Sequence, residues 1–173
     1  NLISGNNIDG INLNGAGATG NTILGNYIGV DVNGTADLGN LFSGVVILNG
    51  ASNNTVGGAY AAGRNVISGN GRGIYMEGAS GNTVLGNYIG TDAAGAAGIA
   101  NSTGIWIENG SDNTIGGAAE GSRNILSGNS NGVVIYGSAA AHNQILGNYI
   151  GLNSTGTAAI GNFGQGIGIN GGA

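Results

Sequence analysis

Residues 65–95 read NVISGNGRGIYMEGASGNTVLGNYIGTDAAG, and nearly the same text occurs twice more. Residues 1–34 read NLISGNNIDGINLNGAGATGNTILGNYIGVDVNG, and residues 124–156 read NILSGNSNGVVIYGSAAAHNQILGNYIGLNSTG. The copies begin at Asn1, Asn65 and Asn124, so the period is about sixty residues. A fixed period dictates the whole architecture, because each unit must bury its apolar side against the next. Inside it lies a shorter unit, a segment of the form GIxΦ or GVxΦ with Φ apolar. It begins at Gly10, Gly44, Gly73, Gly104, Gly132 and Gly166, with 28 to 34 residues between successive starts. Each interval reads as one turn of a solenoid, and two kinds of turn alternate. One contains GNYIG and a Gly/Ala/Thr-rich excursion, at Gly29 to Leu38, Gly90 to Ile99 and Gly151 to Ile160. The other carries NTVGG or NTIGG, a short linker and then RNVISGN or RNILSGN.

Within both kinds, runs of four to six residues alternate apolar with other residues and end in Gly or Asn. That is the pattern of strands and turns, and no helix of useful length is expected. Period-two alternation puts Ile11 and Leu13, Val45 and Ile47, Ile74 and Met76, Ile105 and Ile107, Val133 and Ile135, and Ile167 and Ile169 on one side. Stacked at a strand spacing of about 4.8 Å, they form apolar columns that no single turn can bury alone. Asn6, Asn40, Asn70, Asn101, Asn129 and Asn162 each fall three or four residues before a strand start. An amide carries both donor and acceptor, so identical amides stacked turn on turn can bond one another and the corner backbone. A second column, Asn21, Asn54, Asn82, Asn113 and Asn143, serves the other corner.

Composition narrows the classes. The chain has 173 residues, 40 of them glycine, with neither proline nor cysteine, and only 6% charged. Glycine without a three-residue period or proline is not collagen, and apolar residues at short fixed intervals are not a disordered chain. Lysine is absent, and Arg64, Arg72 and Arg123 form no cluster, so nucleic acid is not an expected partner. No apolar run of the ~18 residues a spanning helix needs is present, and the net charge of −5 disfavours an anionic membrane surface. The absence of cysteine excludes a disulfide framework but leaves secretion open.

These residues, for example NTVLGNYIGTDAAGAAGIANSTGIWI at 82–107, resemble the right-handed parallel β-helix repeats of the pectate-lyase-like superfamily. They are similar to the degenerate NxIxGNxIxxNxxGIxI repeats of large secreted or surface proteins of bacteria, over essentially the whole chain. The resemblance implies an all-β, right-handed, single-stranded parallel β-helix of about five to six rungs spanning residues 1–173 as one domain. It implies an extracellular or cell-surface location. It does not choose among activities, because this solenoid carries lyases, hydrolases, epimerases, tail spikes and passive adhesins.

Carbohydrate lyases of that superfamily use acidic calcium ligands and a basic residue, and the related hydrolases use clustered aspartates. Here Asp9, Asp31, Asp37, Glu77, Asp92, Glu108, Asp112 and Glu120 are scattered, and the arginines are expected in turns or linkers. The exception is Glu77 and Glu108, at equivalent outward positions of consecutive turns beside Tyr75 and Trp106. Two carboxylates about 5 to 5.5 Å apart are what a retaining glycosidase uses, so this pair is the catalytic candidate. Equivalent neighbours in a repeat are close automatically, and the alternative is a solvated face. Tyr75, Trp106 and Tyr136, extended by Val46 and Val134, form a candidate glycan patch.

Asp31, Asn33 and Asp37 in DVNGTAD are candidate calcium ligands. The sibling segments TDAAGAAG and LNSTGTAA carry fewer carboxylates, which favours a plain turn. No cofactor is expected, and His142 reads as a turn residue. Tyr27, Tyr88 and Tyr149 recur in GNYIG as packing or surface residues. Thr22, Thr55, Thr83 and Thr114 form a single outward row, interrupted by Gln144, which raises an ice-binding alternative.

The chain starts inside one repeat and stops inside another, with no polar cap at either end, so the expectation is a piece of a longer array or ends that stack on other copies. The functional expectation is a structural module, stalk-like or filament-forming, with self as the expected partner. A carbohydrate-binding or carbohydrate-active β-helix, with polysaccharide as partner, is the alternative.

Overall fold

The computed structural model describes residues 1–119 and 121–173; Glu120, one of the scattered acids, lies outside the described residues. Among the described residues seventeen short strands wind in the order sheet A, sheet B, sheet C, and then begin again. Sheet A holds β1 (Leu2–Ile3), β4 (Tyr27–Ile28), β7 (Val66–Ile67), β10 (Tyr88–Ile89), β13 (Ile125–Leu126) and β16 (Tyr149–Ile150). Sheet B holds β2 (Ile11–Asn14), β5 (Ser43–Leu48), β8 (Arg72–Glu77), β11 (Thr103–Glu108), β14 (Asn131–Tyr136) and β17 (Ile167–Asn170). Sheet C holds β3 (Thr22–Ile23), β6 (Thr55–Val56), β9 (Thr83–Val84), β12 (Thr114–Gly116) and β15 (Gln144–Leu146). Every ladder between these strands is parallel, which makes a three-sided β-solenoid of about five turns. The helical content among the described residues is one 3-10 turn at Ala61–Gly63.

The interior follows the sequence pattern. Ile11, Val45, Ile74, Ile105, Val133 and Ile167 are register partners in series, as are Leu13, Ile47, Met76, Ile107, Ile135 and Ile169. Sheet A adds Ile28, Ile67, Ile89 and Leu126 to the same core, and sheet C adds Ile23, Val56, Val84 and Ile115. Burial needs a coil on each side. Val45 through Ile135 are buried, whereas Ile167 and Ile169 on the last coil are 46% and 60% exposed.

Each corner is held by stacked amides. In the first ladder the Nδ2 of Asn6 donates to the Oδ1 of Asn40, and so on through Asn70, Asn101, Asn129 and Asn162. The second runs from Asn21 through Asn54, Asn82 and Asn113 to Asn143. A third, not anticipated above, runs from Asn1 through Asn26, Asn65, Asn87 and Asn124 to Asn148. Every link in all three donates toward the C-terminal coil. Each Oδ1 also accepts the backbone N–H of the asparagine one coil earlier, as Asn113 does from Asn82 at 2.9 Å. The amides thus satisfy corner backbone that the sheets leave unpaired. The residue before the second ladder, Gly20, Asn53, Gly81, Asp112 or His142, has positive φ in every turn, which is why asparagine or glycine is common there.

The excursions form a second layer outside sheet A. Each is closed by one antiparallel bridge, Val30 to Asp37, Thr91 to Gly98 and Leu152 to Ala159. They also stack on one another every second turn, with the Ala93 N–H donating to the Gly34 carbonyl and the Ser154 N–H to the Gly95 carbonyl. Beneath them Val30, Val66, Tyr88 and Ile125 form a small apolar cluster of their own, with Tyr27 and Tyr149 packed against it. The repeated tyrosines are therefore packing residues. Arg64 lies over the Tyr88 ring at 4.1 Å and Arg123 over Tyr149 at 3.9 Å.

Candidate functional site

Chemistry-bearing side chains gather on the outer face of sheet B. Alternation along β8 and β11 turns Tyr75 and Glu77, and Trp106 and Glu108, away from the core, and the register pairs Tyr75 with Trp106 and Glu77 with Glu108. The Tyr75 hydroxyl lies 3.0 Å from Glu77 Oε2 and 2.8 Å from Glu108 Oε2. One phenol proton is shared between two carboxylates. Burial, then the hydrogen bonds and charges of Glu108 and Glu77, push the Tyr75 hydroxyl well above the ordinary tyrosine range. Like charges directly opposite on neighbouring strands repel, and this bridge offsets the repulsion.

As a glycosidase pair, the two glutamates are register partners on adjacent strands, Glu77 exposed and Glu108 half-buried. Separate acid and nucleophile roles need environments that push two pKa values apart. Here a single hydroxyl binds both carboxylates.

Arg72 departs from expectation: it opens strand β8 rather than lying in a turn or linker. Ser43 and Thr103 are its register partners, and its guanidinium carbon sits 4.6 Å from the centre of the Tyr75 ring and 5.2 Å from that of Trp106. The Nε1 of Trp106 is closed to solvent and has no hydrogen-bond acceptor. Beside these groups lies a cleft of about 300 Å³ lined by Leu41, Phe42, Gly71, Arg72, Ser102, Thr103 and Trp106. Leu41 and Phe42 are 66% and 55% exposed.

The proposed extension of the patch by Val46 and Val134 is corrected, because both are buried, at 3% and 8% exposure. They point outward, but their register neighbours Tyr75 and Trp106 are far larger and stand over them. Tyr136, at 45%, stays open, one strand beyond Glu108.

Asp31, Asn33 and Asp37 do not converge as a ligand set. Asp31 Oδ1 accepts the N–H groups of Thr35 at 2.7 Å and Ala36 at 3.0 Å, and its Oδ2 accepts the Asn33 amide. These bonds hold the Asp31 carboxyl below the usual carboxylate range. Asp37 Oδ1 accepts from Gly39 instead. Asp92 and the uncharged Asn153 close the sibling turns in the same way, so the turn requires an oxygen acceptor rather than a charge. Among the described residues no three His, Asp or Glu side chains are grouped to hold a metal ion.

His142 occupies a left-handed corner, with Nδ1 3.5 Å from Asp112 Oδ1 and both side chains exposed. The threonine row is in register through Thr22, Thr55, Thr83 and Thr114, followed by Gln144. Its flank alternates Leu24, Gly57, Leu85, Gly116 and Leu146, which ridges the face at every second turn. Ridges are a poor match to a flat ice plane.

Three further features had a signal in the repeat. The third ladder is written in the NΦI that opens both RNVISGN and GNYIG. Ser4, Ser68 and Ser127 of the SGN motif each donate to a carbonyl of the next coil, at Val30, Thr91 and Leu152. The arginine of RN stacks on the tyrosine of the following GNYIG. Comparison with protein-family models, with curated proteins and with solved structures finds no match to this chain.

Proposed function

We propose that this chain is a structural repeat module, a stiff stalk-like spacer of an extracellular or cell-surface protein, able to lengthen by stacking coil on coil. The observation that carries this reading is the set of three unbroken asparagine ladders running the same way at all three corners. Together with the apolar columns, they make each coil depend on the coils on either side of it. Such a body grows in one dimension, by about 4.8 Å per turn. The resemblance of the repeats to right-handed β-helices of the pectate-lyase-like superfamily supports the handedness and the placement outside the cell.

The test is sedimentation and electron microscopy of the chain at rising concentration, beside a screen against plant and bacterial polysaccharides. Rods that lengthen with concentration are the expected result. A strictly monomeric, stable product would overturn stacking between copies. Polysaccharide turnover abolished by Glu77→Gln with Glu108→Gln would overturn a purely structural role.

A further inference from the structure

An asparagine followed two places on by serine or threonine, with no proline between, is an acceptor pattern for N-linked glycan. The chain has five, at Asn33, Asn53, Asn101, Asn109 and Asn153. An asparagine-rich repeat writes such patterns by chance, so the folded coil has to choose among them. Asn101 is locked in the first ladder at 1% exposure, and its Thr103 is buried in β11. Asn53 and Asn109 sit at left-handed corners, with their amide oxygens where a side chain on Gly81 or Gly137 of the next coil would stand. Thr55, which follows Asn53, lies within β6, and the Ser111 hydroxyl that follows Asn109 is bonded to Ser80 and Asp112. Asn153 closes its own excursion, its Oδ1 accepting the Thr157 and Ala158 N–H groups, and the Thr155 hydroxyl is paired with that of Thr157.

Asn33 differs because Asp31 closes the first excursion in its place. The Asn33 side chain is exposed, and its one bond among the described residues runs to Asp31 Oδ2 at 3.2 Å. The Thr35 hydroxyl is exposed too, with no hydrogen bond to a described residue. Val32 beside them is 73% exposed, so this tip stands clear of the coil. Asp31 also places a carboxylate two residues ahead of the acceptor, which bacterial oligosaccharyltransferases read together with the hydroxyl. The other four asparagines have Ala51, Ile99, Ile107 and Gly151 at that place.

We infer that Asn33 is an acceptor for an N-linked oligosaccharide, delivered from a polyprenyl diphosphate donor by an oligosaccharyltransferase. The inference rests on the placement of the chain outside the cell, where such transfer occurs. In the step, Asn33 Nδ2 forms a bond to the anomeric carbon of the sugar as the bond from that carbon to the diphosphate oxygen breaks. The lipid diphosphate leaves with the electron pair, one amide proton passes to solvent, and nothing is oxidised or reduced. The excursion opens for the enzyme by releasing its own bridge, Val30 to Asp37, its turn bonds to Asp31 and the stacking bond from Ala93 to Gly34, while the ladders and core columns stay intact. After transfer the amide keeps one N–H for Asp31, so the loop closes again beneath the glycan.

The experiment incubates the whole folded chain with a purified bacterial oligosaccharyltransferase and its lipid-linked oligosaccharide, and reads intact mass and peptide maps. A synthetic peptide of residues 29–37 serves as the positive control. Expected is one added oligosaccharide, mapped to Asn33, absent from Asn33→Gln and Thr35→Ala, with the melting temperature unchanged. Asp31→Asn keeps the loop, as Asn153 shows in the sibling turn, but should lower transfer by about tenfold or more through loss of the charge. No transfer to the chain while the peptide is modified, an equal yield at any of the other four asparagines, or undiminished transfer to Thr35→Ala would each overturn the assignment. Fractionation of the cells that make the chain is read separately: retention in the cytosol would overturn the placement outside the cell and leave the acceptor chemistry standing.

Discussion

Replacing Asn87 with alanine should remove a large part of the stability of the coil. Asn87 is fully buried and central in the third ladder. Its Oδ1 accepts the backbone N–H of Asn65 at 3.2 Å and the Asn65 Nδ2 at 2.9 Å. Its Nδ2 donates to the Val56 carbonyl, the Leu85 carbonyl and Asn124 Oδ1. After truncation, Val56 keeps the Leu85 N–H, and Asn124 Oδ1 keeps the backbone N–H of residue 87. The Asn65 Nδ2 keeps one partner, the Ile23 carbonyl.

What is stranded is the Asn65 backbone N–H and one Asn65 amide hydrogen, while the part-buried Leu85 carbonyl loses its side-chain donor. At about 1 to 3 kcal/mol for each buried donor left unmade, the loss is about 2 to 6 kcal/mol, against about 5 to 15 for a whole domain. The same truncation at Asn148 strands the equivalent two donors of Asn124 where the site is only partly buried, and should cost about 1 kcal/mol. Urea unfolding followed by circular dichroism measures both. A loss below about 1 kcal/mol at Asn87, or equal losses at the two positions, would refute the ladder as the source of corner stability.

Asn87→Asp adds a sign. Burial raises the folded-state pKa of the new carboxyl, so its stabilising form is the protonated one, fully present below the unfolded value of about 3.9 and lost as pH rises through the folded value. That variant should approach the parent in acid and fall furthest behind at neutral pH.

Gly90→Ala should prevent folding or cost about 3 kcal/mol or more, because φ is +89 and a Cβ would strike the Asn129 amide and the Ser127 carbonyl. Gly17→Ala, where a Cβ meets open space, should stay within about 0.5 kcal/mol by the same unfolding assay. Tyr75→Phe should flatten the alkaline loss of stability. The parent Tyr75 hydroxyl is stabilising while protonated, so its contribution is complete below the unfolded value of about 10 and falls as pH rises toward the higher folded value. Melts from pH 9 to 12 read the difference, and parallel curves for the two proteins would refute the bridge. Asp31→Asn should leave the melting temperature unchanged with or without calcium or chelator, as Asn153 closes the sibling turn uncharged. A calcium-dependent rise lost in the variant would restore the metal site.

Much of the coil was legible before any coordinates. The inward pairs from Ile11 and Leu13 to Ile167 and Ile169 were readable because a period of two places every other side chain on one face whatever surrounds it. Two of the three ladders were readable because Asn40 or Asn82 and its equivalents recur within a few residues of a strand start in every turn. The third is split between two motifs, the asparagine of GNYIG and that of RNVISGN or RNILSGN, so no single flanking pattern marks it. Val46 and Val134 were misplaced for another reason. Alternation says which way a side chain points, but its exposure depends on the size of its register neighbours, here Tyr75 and Trp106.

The linear text thus determined the period, the parallel stacking, the apolar columns and the kind of residue at each corner, since these follow from spacing alone. Which side chains meet on the outside was decided only by the folded coil. Arg72 reaches Trp106, and Tyr75 reaches Glu108, across 34 and 33 residues of chain. The spacing fixes which strands are neighbours; the reach of long side chains over an open face depends on packing that no repeat encodes.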